Sequence, residues 1–194
     1  LRIVDTETTE TLGSTLFEID ANIENLTIQS PTAKGTANFT FKPFPTTHDF
    51  RYDISDTAGF ALIKATGKTA TVNGTGVSIN NVTNANLTGG TYYIRIVDNV
   101  TNTSVGNGTF TINASIDNLS VATPTEKCKV NCSFTTYPTA KTYRYDLSAQ
   151  SNFGTIIGTG TTATGNATGV SINNVTNANL TGGTYYLRIF DTVT

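Results

Sequence analysis

The stretch GVSINNVTNANLTGGTYY at residues 76–93 returns without change at residues 169–186, an offset of 93. Carried outward without a gap, that offset aligns 21–101 with 114–194, and 47 of 81 positions agree. It also aligns 1–20 with 94–113, where 8 of 20 agree. Such a period is far longer than a solenoid unit and has the size of one small β-sandwich. The register divides the chain into three. Residues 1–20 read as the final strand region of a preceding repeat, or a donor strand; 21–113 as a complete sandwich; 114–194 as a second sandwich lacking its last strand.

Strand signals within a repeat are each bounded by Gly, Pro, Asn or Asp. They predict strands over 25–30, 34–44, 49–55, 60–66, 76–80, 91–98 and 105–112, with partners shifted by 93 except for the last. In 49–55, Phe50, Tyr52 and Ile54 share one face, and Arg51, Asp53 and Ser55 share the other. In 91–98, Tyr92, Ile94 and Ile96 alternate with Tyr93, Arg95 and Val97. One apolar face per strand is what an antiparallel two-sheet sandwich requires. Composition agrees, since Ser and Thr fill 51 of 194 positions and no amphipathic helix competes.

The LTGGTYY of residues 87–93, repeated at 180–186, resembles the turn and following strand of fibronectin type III domains, whose pattern is Leu-x-Pro-Gly-Thr-x-Tyr and then alternating apolar residues. The resemblance implies that Leu87 is core and that a tyrosine makes a corner with the backbone upstream. Tyr93 holds the patterned position, whereas alternation turns Tyr92 inward. Gly89 stands where that family has proline, and its tryptophan on the second strand is missing, with Phe39 and Phe41 there instead. The expected fold class is all-β: tandem immunoglobulin- or fibronectin III-like antiparallel β-sandwiches of about seven strands per repeat. Thr/Asn-rich repeats of this style are also similar to surface-layer, sheath and adhesin-like proteins of archaea, which implies an extracellular place at a cell surface.

Fourteen of 20 asparagines begin an Asn-x-Ser/Thr sequon: Asn25, Asn38, Asn73, Asn81, Asn86, Asn99, Asn102, Asn107, Asn113, Asn118, Asn131, Asn166, Asn174 and Asn179. Composition alone would place about five, so a coat of N-linked glycans is the functional reading. Asn38 and Asn131, read as mid-strand, are the weaker candidates. Against this, a Thr/Asn-rich chain makes sequons by composition, and duplication counts them twice.

Cys128 and Cys132 replace Gly35 and Phe39 of the first repeat. On one extended strand they share a face about 13 Å apart, whereas a disulfide needs Cα atoms within about 7 Å. A local disulfide therefore requires a bulge or turn at 129–131. Two reduced thiols, or a cross-link to a neighbouring chain, are the other readings. Two cysteines without further ligands make a poor zinc site.

Nothing else assembles into a reaction centre. His48, the sole histidine, aligns with Lys141 and reads as an exposed turn residue, and the second repeat has no histidine for a Ser-His-Asp set. Asp53 and Asp146 sit beside Arg51 and Arg144, one strand from Arg95 and Arg188, as a cross-strand ion-pair ladder rather than a calcium site. Tyr93, Val97, Tyr186 and Phe190 point outward under the alternation, as support for that ladder or as a stripe for lateral contact. A net charge of −2 without a basic stripe argues against nucleic acid. No apolar run is long enough to span a bilayer, and Leu1 begins without a signal-peptide pattern, as in a mature segment of a longer chain.

The expected protein is therefore not an enzyme and takes no cofactor or metal. It is an extracellular structural repeat protein whose partners are other copies of itself, head to tail and along the side, and covalent N-glycans. An adhesin repeat that binds a glycan or protein, and a spacer beside a catalytic domain, are the alternatives. The seventh strand of the second sandwich is expected from beyond Thr194, by continuation of the chain rather than by donation of residues 9–20 of another copy. Residues 187–194 duplicate 1–8, and the two half-strands would compete for one place.

Overall fold

The computed structural model describes residues 1–123 and 125–191, so residues 192–194, the end of the second repeat, lie outside the description. Fifteen strands and no helix occur among the described residues, which makes the chain an all-β protein of antiparallel sheets. At the start, β1 (Arg2–Val4) and β2 (Thr11–Ser14) pair only with each other, with Ile3 58% and Leu12 68% exposed. An isolated two-stranded hairpin is marginal in water.

The first repeat contributes β3 (Asn22–Ile28), β4 (Thr36–Phe44), β5 (Phe50–Ser55), β6 (Ile63–Lys68), β7 (Ser78–Thr83), β8 (Gly90–Asp98) and β9 (Ser104–Ile112). They form a three-stranded sheet in the order β3-β4-β7 and a four-stranded sheet in the order β6-β5-β8-β9. Alternation does the sorting. In β4, Ala37, Phe39, Phe41 and Pro43 are buried and the residues between them are not. The two inner faces meet in one core of Phe39, Phe41, Phe50, Ile54, Ile94 and Phe110, with Leu87 fully buried in the turn before β8.

Local chemistry moves several strand limits from their expected places. The first strand spans Asn22–Ile28 rather than 25–30, because Asn25 adopts φ 55° and its register against β4 shifts between Glu24 and Thr27. Asparagine tolerates this left-handed conformation better than other side chains, and the result is a β-bulge. Asn118 repeats it at φ 54°. Lys34 lies in the turn before β4, not on the strand. Phe60 also lies off its strand, at φ 53°, and its ring packs under the Arg95 guanidinium 4.6 Å away.

The corner belongs to Tyr92. Its hydroxyl accepts the Thr88 backbone N–H at 3.0 Å and donates to the Asn86 carbonyl at 3.5 Å, while its ring stacks on Phe110 at 5.7 Å. Alternation thus decides between the two neighbouring tyrosines, and the motif position does not.

The second repeat contributes β10 (Ser115–Val121), β11 (Lys129–Tyr137), β12 (Arg144–Ser148), β13 (Gly158–Thr161), β14 (Val170–Thr176) and β15 (Tyr186–Phe190). Its sheets run β10-β11-β14 and β13-β12-β15, repeating the order of the first sandwich up to β15. Among the described residues no strand pairs with β15 on the side that β9 covers on β8. The consequences are local. β15 is shorter than β8, and Tyr185 and Leu187 are only half-buried where Tyr92 and Ile94 are 4% and 0% exposed. The buried cluster beside β15 is Val130, Leu147 and Leu180, with Cys132, Phe134 and Tyr143 buried elsewhere in the same repeat.

Phe110 carries much of the difference between the two halves. Phe110→Ala is expected to destabilise the first sandwich by about 3–5 kcal/mol, the range for a large core aromatic. Chemical denaturation should show that loss in the transition of the first repeat, with the second unmoved.

Candidate functional site

Two features stand out in the geometry of this chain: the joint between the repeats and an open cleft in the second. At the joint, only Asn113 and Ala114 separate β9 from β10. The backbone of that link is clipped to the first sandwich, since Asn113 N–H donates to the Thr32 carbonyl at 3.0 Å and Thr32 N–H to the Thr111 carbonyl at 2.9 Å. Across the joint, the Lys34 ammonium meets the Asp117 carboxylate of the second repeat and lies 5.1 Å from the centre of the Tyr137 ring. Gly89 is buried there. A Cβ at that position would collide with the Tyr137 carbonyl oxygen and lie 2.9 Å from the Ala114 Cα. Only glycine lets the two backbones approach so closely.

The cleft holds about 700 Å³ and is lined by Val121, Val130, Leu147, Leu180, Tyr185 and Leu187 among others. Their counterparts in the first repeat are Ile28, Ala37, Ile54, Leu87, Tyr92 and Ile94, which pack into one core with Phe110 and Ile112 of β9. The cleft is therefore the place that β9 fills in the other half.

The expected ion-pair ladder is present, but its carboxylates are buried rather than facing water. Asp146 is 0% exposed and accepts from Arg188 Nη2 at 2.7 Å, Arg144 Nε at 3.1 Å and Thr159 Oγ1 at 2.9 Å. Burial pushes its carboxyl upward, yet the hydrogen bonds from Arg188, Thr159 and Arg144 outweigh it and hold the group below the usual carboxylate range. Asp53 repeats the arrangement with Arg95 at 2.9 Å and Thr66 at 2.7 Å. Aromatic rings cover the guanidinium groups: Arg188 lies over Phe153 at 4.6 Å, and Arg144 over Phe190 at 4.8 Å.

That arrangement redistributes the four outward residues. Phe190 is a half-buried platform for the arginines, and Tyr93 is half-buried. Tyr186 is 39% exposed. Val97 is 2% exposed and offers no lateral surface. The cause is a register shift against β9 between Ile96 and Val97, which interrupts the alternation and leaves Ile96, Val97 and Asp98 all buried.

His48 is likewise no solvent-facing turn residue. Its Nε2 lies 2.5 Å from Asp98 Oδ1, and its ring lies 5.4 Å from Phe50. Burial works against the Asp98 carboxylate, but donation from Val100 N–H, Thr101 Oγ1 and His48 lowers it to about 2. In the second repeat Lys141 and Asp191 take over, at 2.6 Å.

Cys128 and Cys132 are free thiols. Cys132 lies in the core row of β11 between Val130 and Phe134, where burial raises its thiol pKa. Cys128 sits half-buried in the preceding turn at φ 68°. Thirteen of the fourteen sequon asparagines are exposed, Asn131 included, and only Asn38 is half-buried. The two buried asparagines, Asn80 and Asn173, belong to no sequon, and both amide ends are used internally: Asn80 accepts from Ala70 N–H at 2.7 Å and donates to Ser78 Oγ at 3.0 Å. Among the described residues no group of three His, Cys, Asp or Glu side chains is placed to hold a metal.

No family model matches the chain, and no curated protein is similar to it in sequence. Among solved structures, the chain is similar to the BSP domain of a biofilm-associated protein, at 16% identity and a TM-score of 0.36, covering 89% of this chain and 27% of that one. It is also similar to dimeric latent PorU from Porphyromonas gingivalis, at 12% identity and a TM-score of 0.32, covering 87% and 18%. The chain thus spans less than a third of either protein.

Two outcomes are expected here. Gly89→Val should force the joint open, changing the maximum dimension in small-angle X-ray scattering while each sandwich keeps its own unfolding transition. For Asp98, the depressed carboxyl supplies stability that is complete above its ordinary value of 3.8 and is lost as pH falls toward about 2. Asp98→Asn should therefore flatten the acid limb of stability measured by denaturant titration across that window.

Proposed function

We propose that this chain is an extracellular structural repeat protein, a run of glycosylated β-sandwiches that builds a stalk, sheath, surface layer or filament, and that it is not an enzyme. The observation that carries this reading is the joint. A two-residue link, a glycine at the backbone contact and an ion pair across it hold successive sandwiches in one relation. A fixed relation between successive sandwiches is what a load-bearing row of repeats needs. Exposed sequons on both sandwiches support a glycan shell, and the buried Arg–Asp–Arg clusters brace each sheet from its outer side. No helix among the described residues is long and apolar enough to cross a membrane. Electron microscopy of native material tests the reading: regular fibres or sheets support it, and dispersed molecules count against it.

A second reading has its own support. The turn of the first repeat at 56–59 differs from its partner while the turn at 84–90 is unchanged, as it would in an adhesin repeat whose binding loops vary. Binding to immobilised glycans or whole cells, lost on exchanging that loop between repeats, would favour it. On the glycan side, digestion with an amidase specific for N-linked glycans should lower the mass of native material by several glycan units.

A further inference from the structure

The open cleft of the second sandwich and the free segment at the start of the chain are complementary, residue for residue. At the offset of 93, residues 11–20 (TLGSTLFEID) are the counterpart of 104–113, which contain β9. Phe17 stands for Phe110 and Ile19 for Ile112, the two residues that fill the equivalent space in the first sandwich. In the structure they cover nothing: Phe17 is 62% exposed and Ile19 is 83% exposed. We propose that this cleft is a strand-acceptor site, and that its occupant is the segment Thr11–Ile19 of a second copy of this chain. The proposal rests on the head-to-tail reading given above and specifies its contact.

Side-chain volumes support this occupant. In the first sandwich β9 carries Gly106 and Gly108, and a Cβ at either position would run into the Cδ1 of Ile23 or of Ile28. The donor segment keeps the first glycine, as Gly13, and the facing residue in the second sandwich is still isoleucine, Ile116. At the second position the donor has Thr15, which does carry a Cβ. There the facing residue is Val121, which lacks the Cδ1 that would collide. Extra bulk on one side is matched by a methyl group removed on the other.

The joint extends the match. In the seated position the donor leads through Asp20 and Ala21 into β3, as Asn113 and Ala114 lead into β10. Lys127, the counterpart of Lys34, then faces Glu24, the counterpart of Asp117, and Phe44 takes the place of Tyr137. Both charges keep their sign. Gly182 takes the place of Gly89; its position is open in this structure, with no atom within 4 Å of a Cβ built there.

Seating follows the β8–β9 register. Tyr92 opposite Phe110 and Gly90 opposite Ile112 become Tyr185 opposite Phe17 and Gly183 opposite Ile19. For the rest of the strand to pair, LRIF at 187–190 must displace LRIV at 1–4 from β2. The displaced strand has the same backbone pattern and is part of a hairpin without a second sheet over it, so the exchange loses few contacts and gains the core row of Phe17 and Ile19.

Light scattering behind size-exclusion chromatography, on the 194-residue chain at rising concentration, tests this. Multimers that grow with concentration are expected. Phe17→Glu with Ile19→Glu should weaken self-association by at least about tenfold, and an added peptide of residues 11–20 should cap the multimers. Lys127→Glu should weaken association, and Glu24→Lys on the same chain should restore it, a rescue that simple misfolding cannot produce. A chain that stays monomeric, multimers indifferent to the Phe17 and Ile19 changes, or a peptide that binds without the intact chain associating would each overturn the second copy as occupant. None of those results bears on whether native material is fibrous, so the two readings fail separately.

Discussion

Two three- or four-stranded sheets of this size bury their apolar faces only if each inward row meets another, and in the first sandwich the closing row belongs to β9. Phe110 stacks on the Tyr92 ring, Ile112 joins the same core, and Gly106 and Gly108 ahead of them let Ile23 and Ile28 of β3 lie close. In the second repeat the counterparts Tyr185 and Leu187 are half-buried, while Val130, Leu147 and Leu180 stay buried. Burial of one large apolar side chain is worth roughly 1.5–3 kcal/mol. Two such residues make a difference comparable to much of a small domain's net stability. The architecture therefore depends on where each repeat obtains its seventh strand.

The polar part of the structure follows a related logic. Low charge leaves few ion pairs, and the strongest are concentrated in one place per sandwich, where a buried aspartate is held by two arginines and a threonine under aromatic rings. Such a cluster is stabilising only when every partner is present, since a lone buried carboxylate is unfavourable. The asparagines divide in the same way. Those inside are engaged at both amide ends, and those in sequons face water, with Asn38 in between. The sequon set still carries structural roles, since Asn73 Oδ1 and Asn166 Oδ1 each accept backbone N–H groups of their own turns.

Some of this was legible in the residues alone. The repeat and its register, the strand count of the first sandwich, the inward rows of β5 and β8, and the outward Arg–Asp pairs follow from period-two alternation and the 93-residue offset. Those are local or translational features, and a one-dimensional string records them. Tyr92 as the corner residue also follows from alternation, against the position that the family pattern suggests.

Other features required the third dimension. Val97 is buried because the register of β8 against β9 shifts between Ile96 and Val97 and re-aims it, and His48 is held because Asp98 arrives beside it from β8. Phe60 and Phe153 reach the arginines only through a left-handed turn. The glycine at the joint has no distinction from its neighbour in the sequence until the second sandwich packs against it. The sequence by itself determined the β period, the repeat and the side chains that each strand turns inward, because these depend on residues near one another along the chain. Which glycine touches a backbone and which carboxylates are buried were decided only by the fold, because they depend on residues brought together from distant strands.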